Sequence, residues 1–182
     1  MKLRSRRFII SRCAVKRRST GEYSKHNRVE TQRTSKRYVL TQTILLVLFG
    51  AVVLLSPRHN LFASVTAGIA GNFLCIVGLL LIIFAFASLR GAVQIASEPK
   101  RGAQLVETGV YKYLRHPIYT GTIFCVIGLF LRQASIWVAM AAATVIVFLF
   151  FKARFEEKLL LAAHPGYAIY RARTWGLFPG MR

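Results

Sequence analysis

The chain has 182 residues, 54% of them hydrophobic, and a net charge of +20. Those values coexist only if apolar and basic residues are segregated, which excludes an ordinary soluble core and points to a single domain built in a membrane. The three cysteines, Cys13, Cys75 and Cys125, are isolated and fit neither a disulfide framework nor a zinc or redox spacing; with no H-E-x-x-H motif, no metal site is expected.

Residues 1–37 hold 13 of the 26 basic residues but two acids. Such a segment cannot bury enough apolar surface to fold alone and reads as a disordered cytoplasmic tail lying on anionic lipid. Its Arg-rich, acid-poor composition also fits an organelle transit peptide or a mis-assigned start. Nucleic-acid binding would need aromatic interleaving or a fold motif, and neither is present.

Residues 38–182 read as a helical transmembrane domain, all-α and polytopic, with about four spans. The first span is 38–56, with Tyr38 as an interfacial anchor, followed by a turn at Pro57-Arg58-His59-Asn60. The second, 61–89, is longer than a bilayer requires, and Gly68, Gly71 and Gly78 allow close helix approach. A polar connection follows over 90–115, broken near Ser97-Glu98-Pro99. Segments 118–131 and 134–151 then form a carboxy-terminal helical hairpin turning at 132–135. With the tail cytoplasmic, that side carries 13, five and six basic residues in its three segments, against two (Arg58 and Arg132) on the other. This positive-inside asymmetry puts both termini, and both polar motifs, in the cytoplasm. Nothing in it identifies the host membrane.

Those motifs are G-V-Y-x-Y-x-R-H-P-x-Y-x-G, from Gly109 to Gly121, and a downstream Glu156-Glu157, Tyr167, Tyr170 and Pro179-Gly180. Together they resemble the isoprenylcysteine carboxyl methyltransferases and their bacterial relatives, a family related to the phospholipid methyltransferases. The resemblance implies a helical membrane bundle that encloses S-adenosylmethionine between the two motifs at the cytosolic face. The absence of a strand followed by G-x-G-x-x-G agrees with a non-Rossmann cofactor site. The resemblance makes Tyr113, His116, Pro117, Tyr119, Gly121, Glu156, Glu157, Tyr167 and Tyr170 the expected cofactor residues.

The residue types suit that ligand. His116 or Tyr119 can donate to its carboxylate, and a Glu can accept from its ammonium or ribose. Pro117 can open the following helix, and Gly121 permits close approach of backbone or ligand. Arg115 and Glu156 are the expected catalytic residues. Arg115 can hold a carboxylate acceptor, which needs no base, whereas an amine or hydroxyl would call on Glu156, Glu157 or His116. The plainer alternatives are a headgroup contact for Arg115, helical pairing of Glu156 with Lys152 and of Glu157 with Arg154, and an aromatic belt for the tyrosines. Fewer spans precede the motif than in the eukaryotic enzymes; the expected acceptor is a small or lipid-like amphiphile, with a carboxylate of the isoprenylcysteine type favoured. The rival classes are an NADPH-dependent reductase of the sterol-reductase type, with Arg171 and Arg173 near the nucleotide, and a non-enzymatic membrane adaptor.

Overall fold

A computed structural model describes residues 30–56, 64–89 and 105–181. The tail before Glu30, the turn at 57–60 and the break at Ser97-Glu98-Pro99 lie outside the described residues. The described chain is helical: α1 (Glu30–Leu55), α2 (Val65–Ser88), a 3-10 turn (Gly109–Lys112), α3 (Pro117–Gln133), α4 (Ile136–Ala163) and a short α5 (Tyr167–Arg173). Among the described residues the single β-type contact is an isolated parallel bridge between Leu114 and Trp175.

Helices α1, α2 and α4 are long and apolar enough to cross a membrane. Helix α3 has 17 residues, at the lower limit of the ~17–25 that span a bilayer. It is the first arm of the expected hairpin. Ala134 closes it in the left-handed conformation (φ 48°) and Ser135 opens α4, so the chain reverses within two residues. Two starts differ from expectation. Helix α1 already includes Glu30, the first described residue and eight before the uncharged stretch, because helix formation needs no apolar run and the basic residues of 30–37 tolerate a helix well. Helix α2 begins at Val65, where the Ser64 hydroxyl accepts from the Ala67 N–H at 3.1 Å and caps the first turn.

Helices α2 and α3 meet along a seam that the sequence encodes twice, as Gly71-x3-Cys75-x2-Gly78 and Gly121-x3-Cys125-x2-Gly128. The seam is antiparallel and nearly two-fold. A β-carbon on Gly71 would lie 2.5 Å from the Gly128 carbonyl oxygen, and one on Gly78 would lie 2.5 Å from that of Gly121. No side chain fits at those crossings, so glycine is required by the closeness of the backbones. Between them Cys75 Sγ donates to the Cys125 carbonyl at 3.6 Å and Cys125 Sγ to the Cys75 carbonyl at 3.7 Å. Gly68, by contrast, faces open space.

The opposite face of α3 packs on α4 through Ile123 and Val126 against Val138, Ala142, Val145 and Leu149, which form the core. Helix α1 joins this core through Phe49. Tyr38 stacks on Phe155 at 4.6 Å, so the expected interfacial anchor is held by an α4 ring. At the far end Ser56 and Ser135 share a hydrogen bond of 2.6 Å, and Gln133 donates to the Val53 carbonyl.

Candidate active site

The polar residues converge where α3 begins and α4 nears its end. Pro117 occupies the first position of α3, with His116 as its cap, because a missing N–H costs nothing there. This start fixes Arg115, His116 and Tyr119 on one side of the helix entrance. Helix α4 continues unbroken past its apolar stretch and delivers Glu156 and Glu157 to the same place.

The two carboxylates have different surroundings. Glu157 Oε1 accepts from Arg115 Nε at 2.8 Å and lies 3.4 Å from His116 Nε2, while its Oε2 is 3.4 Å from Arg171 Nε. Glu156 Oε1 accepts from the Tyr119 hydroxyl at 2.6 Å and lies 3.7 Å from Lys152 Nζ, and its Oε2 is 3.9 Å from His116 Nδ1. The imidazole thus sits between the acids, stacked parallel to the Tyr119 ring at 5.5 Å. Its Nε2 is buried without a well-formed hydrogen bond among the described residues.

Arg115 is 7% exposed and turned inward. Besides Glu157, its Nη1 donates to the carbonyls of Arg171 and Thr174 at 2.8 and 2.6 Å, and its backbone N–H to the Trp175 carbonyl at 2.8 Å. Thr120 adds a 2.5 Å bond to the Leu177 carbonyl. The segment after α5 is therefore strapped across the start of α3. A cleft of about 310 Å³ lies beside the strap, lined in part by Arg115, His116, Arg154, Glu157, Arg171 and Leu177.

Several expected site residues take other places. Tyr113 is 60% exposed, with Lys112 over its ring, and enters the strap through its backbone carbonyl alone. Gly121 faces α2, so of backbone and ligand it is backbone that it approaches. Tyr167 and Tyr170 are buried side by side under the strap, ring centroids 5.7 Å apart. Burial, chiefly, pushes the Tyr170 phenol up to about 12, as it does that of Tyr111, and raises Tyr167 as well. These groups stay protonated at neutral pH, and the Tyr170 hydroxyl donates to the Tyr111 carbonyl at 2.7 Å. The expected helical pairing holds for Glu156 with Lys152, whereas Glu157 pairs with Arg115 and Arg171. The sequence reading did not single out Thr120, Thr174 or Gln42. Thr120 was nonetheless visible one turn into the helix that Pro117 opens.

The chain matches the family of phospholipid methyltransferases over residues 66–176, from the start of α2 through the strap. No curated protein matches it. With well over half of its length inside that match, and with three helices able to span a bilayer, the chain belongs to the phospholipid methyltransferase family and is a membrane methyltransferase.

Proposed function

We propose that the chain transfers a methyl group from S-adenosylmethionine to the headgroup of a lipid-like amphiphile at the cytosolic face of its membrane, and that an amine headgroup is favoured over a carboxylate. The observation that carries this reading is the convergence of Glu156 and Glu157 on His116, with His116 and Glu157 lining the cleft and Glu156 behind the imidazole. The cytosolic assignment is supported by the charge asymmetry of the sequence.

The residues present suit the cofactor. Its carboxylate calls for donors, and His116 Nε2, buried 3.4 Å from Glu157 without a well-formed hydrogen bond among the described residues, and the half-exposed Arg171 are two. Its ammonium and ribose call for acceptors, which the two glutamates supply. The cleft, about 310 Å³, is at the small end of the ~300–1,000 Å³ usual for ligand sites and suits one nucleoside-sized molecule. When bound, S-adenosylmethionine supplies a methyl group on a sulfonium, ready for in-line displacement.

An amine headgroup is an ammonium at neutral pH and must lose a proton before its lone pair can accept a methyl group. Glu156 is placed to take that proton, and His116 beside it can receive it in turn. A carboxylate acceptor would need a free cation instead. Arg115 has committed Nε and Nη1 to Glu157 and two carbonyls, which favours a structural role for it over acceptor binding. The helix entrance then positions the acceptor by excluding water and fixing its approach.

Calorimetry with S-adenosylmethionine on the purified chain tests the cofactor, and no binding by folded protein would sink the proposal. Label transfer to phosphatidylethanolamine vesicles and to farnesylated cysteine tests the acceptor, and transfer to the second alone would overturn the amine preference. Glu156→Ala and His116→Ala should each lower transfer about 100-fold.

A further inference from the structure

We propose that Gln42, on α1, is a positioning residue of the site that acts through Lys152 on Glu156. Lys152 is 4% exposed, at the end of the apolar run of α4 and one turn before Glu156. A buried ammonium without partners is unfavourable, so its partners define its function. They are three, on three helices: the Gln42 side-chain oxygen on α1, Glu156 Oε1 one turn along α4, and the ring face of Tyr119 on α3 at 5.0 Å. The Tyr119 hydroxyl closes the circuit by donating to the same Glu156 oxygen. Gln42 therefore holds the ammonium that, with Tyr119, fixes one carboxylate oxygen and leaves the other turned toward His116.

The unexpected element is α1. It lies outside the matched residues 66–176, and Leu40, Val47 and Leu48 are each more than half exposed. Yet its inner face carries Tyr38 onto Phe155 and Gln42 onto Lys152, two contacts on the turn of α4 that leads into Glu156. Gln42 is a polar side chain in a helix that would otherwise gain from an apolar one. Its position makes α1 a working part of the site.

The kinetic part of this inference rests on the methyl-transfer reading; the contact itself does not. In the full chain in detergent, with phosphatidylethanolamine vesicles as probe, Gln42→Leu should lower kcat about tenfold with KM nearly unchanged. Lys152→Met should fall at least as far, and adding Gln42→Leu to it should cost nothing more, because the two act in series. Gln42→Glu, which keeps the acceptor oxygen, should restore most of kcat. Wild-type kcat in Gln42→Leu, or multiplicative losses in the double variant, would overturn the inference. Nitrogen NMR of labelled lysine side chains reads the contact without turnover. The signal lost in Lys152→Met should move in both Gln42→Leu and Glu156→Gln, and an unmoved signal in Gln42→Leu rejects the inference even if the parent methylates nothing. Absence of methyl transfer by a folded parent, with the signal moving as expected, would instead sink the activity and leave the coupling standing.

Discussion

Helix α3 has two working regions built on opposite rules. Toward α2 it presents Gly121, Cys125 and Gly128, side chains so small that backbone meets backbone and the partner helix repeats the same pattern in reverse. At its start it presents Arg115, His116, Tyr119 and Thr120, side chains that reach across space to acids and carbonyls. The seam is held by shape, and a mistake there is a steric one. The polar end is held by pairing, and a mistake there leaves a buried charge or carbonyl without a partner.

The largest effect should come from breaking the polar end. Arg115→Ala removes the partner of Glu157 and the donor to two carbonyls at once, and breaking a buried pair costs about 3–5 kcal/mol. Thermal unfolding in detergent should show that loss, with the strap after α5 becoming the first site of proteolysis. An intact strap in this variant would contradict the clamp.

The seam should respond less, and only where it is tight. Gly71→Ala places a methyl group against the Gly128 carbonyl and should destabilise by roughly 1–3 kcal/mol, whereas Gly68→Ala, in open space, should be neutral. Equal unfolding temperatures for the two variants would deny the close crossing.

The smallest effect separates the regions by pH. Burial holds the Tyr111 and Tyr170 phenols up near about 12, so the folded state keeps their protons beyond the ordinary value. The stability this contributes is complete below about pH 10 and is lost as pH rises toward 12. Hydrogen exchange over α5 and the strap should therefore accelerate in that window while the seam holds, and Tyr170→Phe should blunt the change. Simultaneous loss of both regions would show that they do not open separately.

Much of this was readable beforehand. Uncharged runs gave the helices, Pro117 and the turn at 132–135 gave the hairpin, and the paired motifs gave a methyltransferase over the reductase and adaptor alternatives. What the sequence concealed was the use of side chains whose partners are far along the chain. Arg115 looks available for a substrate until the carbonyls of Arg171 and Thr174 fold over it, and Gln42 looks like a stray polar residue until Lys152 arrives from α4. Tyr113 and Tyr111 alternate in one motif, yet the first is exposed and the second half-buried, since a 3-10 turn sets their directions. The repeated Gly-x3-Cys-x2-Gly was legible, and only its reversed self-pairing required the fold.

The length of α4 has one further consequence. At 1.5 Å per residue, about 30 Å separates Ile136 from Glu156, close to the thickness of the hydrocarbon layer. With α4 upright in the bilayer, the carboxylates would stand at the depth where acyl tails give way to headgroups, and under the proposed function a tailed acceptor would react without being pulled from its leaflet. Turnover would follow the mole fraction of acceptor in the plane of the bilayer, and diluting the vesicles in water at constant lipid composition would leave it unchanged.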